Sequence, residues 1–226
     1  MKQLLLFVLS LFLLLPLCGC SQDIAMIPGS SSEQVPAVET TSETPAKSIN
    51  TITCAALTDR EELLASAIGD TYIFDYNVDG KFQYIRLWMK VYTFGNEVKD
   101  QYANMMDEIN TSGTMIFSLS EPSEEEPGRI MFCAGSRSST SGGSKSETID
   151  VPYIQNNSEY GEAFGISNVT LPSSAETALA YVRSYSGDIN NSLSDMFLND
   201  YKNQLNQIAN DDLVYIFGCT FYTNKS

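Results

Sequence analysis

Between Tyr72 and Phe94 apolar and polar residues alternate at period two, and no other stretch constrains the fold of this chain as tightly. Successive side chains of a strand leave on opposite faces, so this alternation suits a half-buried strand and is useless to a helix. Tyr72, Phe74, Tyr76 and Val78 form one stripe and run into Asp79-Gly80, a dipeptide that favours a type I′ hairpin turn. The return strand, residues 82–94, carries Ile85, Leu87, Met89 and Val91 on one side. Phe82, Tyr84, Arg86, Trp88, Lys90, Tyr92 and Phe94 occupy the other. The aliphatic side is expected to face the core. Gly95-Asn96 turns the chain again, and weaker alternation through Val98, Tyr102 and Met106 predicts a third strand that completes a meander.

Further strands are expected at residues 114–120, 128–134, 147–151, 176–185 and 213–223, with no internal repeat. Residues 121–128, acidic and with two prolines, and residues 135–145, rich in Ser and Gly, read as surface loops. Met196, Phe197, Tyr201, Leu205 and Ile208 fall near helical spacing behind Ser194 or Asp195 as N-cap, which predicts a helix over 195–208; Thr58 starts a second helical segment. Many short strands between turn signals indicate a mainly β domain. The expected fold is an antiparallel β-sandwich, immunoglobulin-like or jelly-roll-like, with one or two short helices, over residues 51–226. That length buries a core without disulfides. Cys54, Cys133 and Cys219 show no CxxC spacing, and the last two sit in apolar runs where a thiol serves as a small hydrophobe; one bridge between some pair stays open.

The absence of histidine from all 226 residues limits the chemistry. Ser-His-Asp and Cys-His catalysis, His-containing zinc sites and the facial triad of non-haem iron all need an imidazole. A carboxylate pair facing a cleft can still hydrolyse glycosides, the third-ranked function here. No cofactor is implied, and binding is favoured over catalysis. Asp75, Asn77, Asp79 and Gly80 follow the spacing of the first half of an EF-hand calcium loop, yet Arg86 stands where the bidentate glutamate should be. A strand entering a turn explains the motif better than a metal site. Tyr84, Trp88 and Tyr92 project from one side of the second strand. Exposed, they form a strip on which sugar faces stack; covered, they are cross-strand packing.

Leu17-Cys18-Gly19-Cys20 closes a leucine-rich stretch behind Lys2 and resembles a bacterial lipoprotein signal, residues 1–19. That stretch is shorter than a bilayer-spanning helix and contains Pro16. The resemblance implies a diacylglyceryl group on Cys20, a chain beginning there, and a cell-membrane location on the extracytoplasmic face, since two acyl chains anchor stably. Residues 21–50 contain no aromatic residue, and Ser, Thr, Pro and Glu make up half of them. Such a segment buries too little to offset its ordering entropy. With Cys20 it forms a disordered tether, holding the domain about 30 Å from the membrane on average and roughly 100 Å when stretched. The formal charge is −15, and loss of the leader with Lys2 makes it one more negative. Nucleic acid and anionic headgroups are poor partners for such a chain.

The lipobox, the Ser/Thr-rich spacer, Asp79-Gly80 and the late Asp-Leu-Val-Tyr-Ile-Phe run together resemble uncharacterised lipoproteins of Gram-positive, clostridium-like bacteria. No activity comes with that resemblance. The expected role is a membrane-anchored surface lipoprotein whose sandwich binds cell-wall or host glycans through Tyr84, Trp88 and Tyr92. The alternative is a protein-interaction or envelope-assembly module.

Overall fold

A computed structural model describes residues 49–120, 128–151, 160–171, 175–185 and 193–225, without the side chains of 100–102 and 160. The segments expected as leader and tether, Cys20 included and up to residue 48, and residues 121–127 of the expected acidic loop lie outside the described residues. In chain order the elements are β1 (Thr51–Cys54), α1 (Asp59–Ser66), β2 (Asp70–Asn77), β3 (Tyr84–Thr93), β4 (Asn96–Glu108) and β5 (Ser112–Ser120). Then come β6 (Arg129–Ser138), β7 (Gly142–Asp150), β8 (Tyr160–Gly165), β9 (Asn168–Thr170), β10 (Thr177–Tyr185), α2 (Asp195–Asn199) and β11 (Leu213–Tyr222). Two 3-10 turns, Tyr201–Asn203 and Leu205–Ile208, follow α2.

All strand pairs are antiparallel and form two sheets, a six-stranded one ordered β7-β6-β5-β2-β1-β9 and a five-stranded one ordered β4-β3-β11-β10-β8. The expected β-sandwich is therefore the fold. Its core is aromatic. Phe217 of the five-stranded sheet lies 5.6 Å from Tyr72, 6.0 Å from Phe117 and 6.1 Å from Phe132, ring centre to ring centre, and so ties the sheets together. Ile85, Leu87, Met89 and Val91 are fully buried, as the alternation required.

The hairpin expected at Asp79-Gly80 is not formed. Both edges of β2 are occupied by β1 and β5, and the chain instead crosses at Asp79-Gly80 to the other sheet. A type I′ turn needs positive φ at both central residues. Gly80 is not among the residues with positive φ, whereas Phe94 (φ 48°) and Gly95 (φ 74°) both are, and they join the β3–β4 hairpin. Val78 and Phe82 flank the crossover and are buried, so apolar burial draws the chain between the sheets. The Phe82 amide donates to Asp79 O at 3.0 Å, closing an ordinary turn.

The Ser/Gly-rich segment expected as a loop is mostly strand, because β6 runs to Ser138 and β7 starts at Gly142. Small residues suit these positions, since the outward side of β6 and β7 carries no packed layer. The helix expected over 195–208 begins at Ser194 as read, with its hydroxyl accepting from Met196 N at 3.3 Å, but breaks into one short helix and two 3-10 turns. Its apolar residues still do what the spacing implied. Phe197, Tyr201 and Ile208 are buried against the outer face of the five-stranded sheet. Thr58 caps α1 in a capping box with Glu61. The three cysteines are free thiols: Cys219 is buried in the core, Cys133 is half-buried and Cys54 is exposed.

Candidate functional site

The outer face of the five-stranded sheet is closed. Trp88 is 0% exposed and Tyr92 2%, with the Tyr201 ring 6.1 Å and 6.5 Å from them; Tyr84 is half-buried. Trp88 also lies against Gly218 on β11, its cross-strand partner, where any β-carbon would collide with the indole. Trp88 and Tyr92, two of the three rings expected to stack on sugars, are therefore packing beneath the β10–β11 connection, and Tyr84 stands alone at the end of the row. Arg86 and Lys90, which suggested a wet face, bond inside the protein instead. Glu176 accepts from Arg86 Nη2 at 3.3 Å and Lys90 Nζ at 2.9 Å, and pairs with Lys202 Nζ at 2.7 Å. Burial raises the Glu176 pKa, but hydrogen bonds from Lys202 and Lys90 outweigh it and hold the group at about 2. A second clamp is Arg183, buried, with Glu162 at 2.6 Å and Asp211 at 3.4 Å; burial nevertheless pushes the Asp211 carboxyl up.

Asp75, Asn77 and Asp79 do not form a calcium loop. Asp75 and Asn77 lie two residues apart along an extended strand, about 7 Å. Asp75 Oδ1 accepts from Thr114 Oγ1 at 2.7 Å, and Asp79 Oδ1 accepts from Lys81 N at 3.1 Å. Among the described residues no group of three acidic, Cys or His side chains is placed to hold a metal ion.

The outer face of the six-stranded sheet has the opposite character. Ladder pairing puts Asp75, Thr114, Arg137 and Gly142 in one row, and Ile73, Ile116, Gly135 and Ser144 in the next. These side chains are short or absent on β6 and β7. Ala55, Ala56 and Leu57 and the first turn of α1 rise along one side, and the result is a groove of about 650 Å³. Its floor is apolar at Ile73 and Ile116 and bare at Gly135. Arg137 is exposed, and among the described residues no carboxylate pairs with it. Glu61 lines the groove but is committed to the cap: the Thr58 amide and hydroxyl donate to it at 2.9 and 2.8 Å and lower its pKa. A carboxylate held ionised in this way cannot serve as the general acid of a glycosidase, which needs a raised pKa.

None of the groove residues except Asp75 was legible as a site in the sequence, because Ser, Thr and Gly in this stretch read as loop. No family model matches the chain, and neither a curated protein nor a solved structure is similar to it.

Proposed function

We propose that the protein is a lipid-anchored, extracytoplasmic binding module, without catalytic activity, that docks a partner protein in the groove of its six-stranded sheet. The observation that carries this reading is the groove itself, an apolar-floored depression on the one broad sheet face left open among the described residues. Its lining is aliphatic, Ser, Thr and Gly with three charged residues, of which Glu61 and Asp75 already accept from Thr58 and Thr114; with Arg137 the exposed charge that remains, it offers side-chain pockets and few free convergent polar groups, which suits a protein segment better than a sugar ring. Lipidation at Cys20 holds the module at the membrane, and residues 21–50 give it reach.

A photo-crosslinking amino acid at Ile116, in the full-length chain expressed in its own bacterium, tests the reading. Adducts at Ile116 that proteases remove and muramidase leaves intact are expected, with none from a control position, Met196, on the covered side. Adducts trimmed by muramidase would move the reading to a wall glycan, and an unmodified Ile116 would end it. A Cys20→Ala chain is expected to leave the membrane fraction and to lose the adduct with it.

A further inference from the structure

The helix beside the groove buries nothing. None of the eight residues of α1 is buried, and Leu63, Leu64 and the following Ile68 are 70%, 56% and 51% exposed. A free helix of two turns is marginal in water, and only the capping box and a hydroxyl from Thr71 to Ala65 O at 3.2 Å fasten it. Leu64 lies one turn on from Glu61, the α1 residue that lines the groove, and Ile68 follows the end of the helix. The exposed apolar side chains of this segment thus stand beside the groove whose floor is Ile73 and Ile116.

We infer that the groove and the exposed apolar side chains of α1 beside it seat an amphipathic helix of a partner protein, with lysine or arginine flanking its apolar stripe. The inference deepens the docking reading above and rests on it. Two observations select the occupant. The chain's other sheet shows what closes such a face, because its cover is a helical connection that lays Phe197 and Tyr201 onto the strands. A second helix beside α1 gives the six-stranded sheet the same two-layer closure. Charge sets the flanks. Asp59, Glu61 and Glu62 crowd the first turn of α1, with Arg60 as the helix's only cation, on a chain of net charge −15. A second copy of the chain meets repulsion there, as does an anionic membrane; a basic helix meets complementarity. Arg137, with no carboxylate partner among the described residues, favours an acidic residue or the C-terminus of that helix, and so fixes its direction.

The test uses the full chain anchored in phosphatidylcholine nanodiscs, with empty discs as blank. The probes are two labelled amphipathic peptides of roughly 18 residues, one Leu/Lys and one Leu/Glu. The Leu/Lys peptide is expected to bind at least tenfold more tightly, more weakly as salt rises. The pair Leu64→Glu and Ile68→Glu, at exposed positions that leave the core untouched, is expected to cost at least tenfold. Amide shifts should fall on Thr114, Ile116 and Gly135. Equal binding of the two peptides, or binding indifferent to the Glu substitutions, overturns the inference. So does self-association of the chain, or attachment to phosphatidylglycerol vesicles, that those substitutions abolish. If neither peptide binds but Ile116 still crosslinks to protein, only the basic-helix identity falls; if both fail, the docking reading falls with it.

Discussion

The two sheets of this sandwich are made from similar strands and end in opposite conditions. Along the middle of the five-stranded sheet both faces are dry. β11 is buried from Leu213 through Phe221, and its sequence is a nearly unbroken apolar run rather than an alternation. On the six-stranded sheet β7 is exposed along most of its length, and the residues facing away from the core on β5 and β6 are Thr, Ser, Gly and Arg beside Ile116, Met131 and Cys133. The difference comes from where the chain spends its longest described connection. Residues 193–212 are laid over the five-stranded sheet and clamped by Glu176 and Arg183, while among the described residues the other sheet receives only α1. Aromatic residues therefore mark the sealed face of this protein, and small residues mark the open one.

The largest test of that contrast is Trp88→Ala. Its indole is fully buried between Gly218 and Tyr201, so the substitution is expected to cost about 3–5 kcal/mol. Ile116→Thr, on the open face, keeps the β-branched shape and is expected to cost about 1 kcal/mol or less. Urea unfolding of the two variants compares the faces directly. Similar losses would mean that the groove is covered in solution, and a negligible loss at Trp88 would mean that its cover is not held down.

The clamp at Glu176 is next in size. Replacing it by Gln leaves Arg86, Lys90 and Lys202 without their shared carboxylate, and about 2 kcal/mol is expected to be lost at pH 7. Because its folded pKa, about 2, lies below the ordinary 4.5, the stabilisation is present above about pH 4.5 and fades as pH falls toward 2. Denaturation midpoints of the parent and Glu176→Gln chains should thus differ at neutral pH and converge in acid. A constant gap across that range would show that the variant disturbs packing and not charge.

Much of the fold was legible in the sequence, and for physical reasons the site was not. Alternation reports that a strand has two unlike faces, and it placed β2, β3 and the buried aliphatic row correctly. It does not report which face a later segment covers. Trp88 and Tyr92 alternate with Arg86 and Lys90, a mixture that reads as wet, and Glu176, nearly ninety residues away, and Tyr201 make it dry. The converse error was made at residues 135–145. Gly135 and Ser144 read as loop because Gly and Ser are poor strand formers, and only the ladder between β6 and β7 makes them strand. β1, β8 and β9 are short and were not anticipated. Continuous burial along β11 was the one local signal that the five-stranded sheet has two covers.

The smallest expected effect separates the crossover from the hairpin. Gly95 holds φ 74° at the β3–β4 turn, and a β-carbon there would sit 3.0 Å from Leu205 O in the covering connection. Gly95→Ala is expected to cost about 1–2 kcal/mol, through left-handed strain and through pressure on that cover. Gly80 needs no positive φ, and its nearest neighbour would be a methyl of Thr111 at 3.6 Å. Gly80→Ala is therefore expected to change stability by about 0.5 kcal/mol at most, in either direction. Paired thermal melts decide between the two arrangements, since a type I′ hairpin at Asp79-Gly80 would reverse the order of the losses. The dipeptide that looks most like a turn would then be the sensitive one, and the sandwich would lose the crossover that carries β2 and β3 into different sheets.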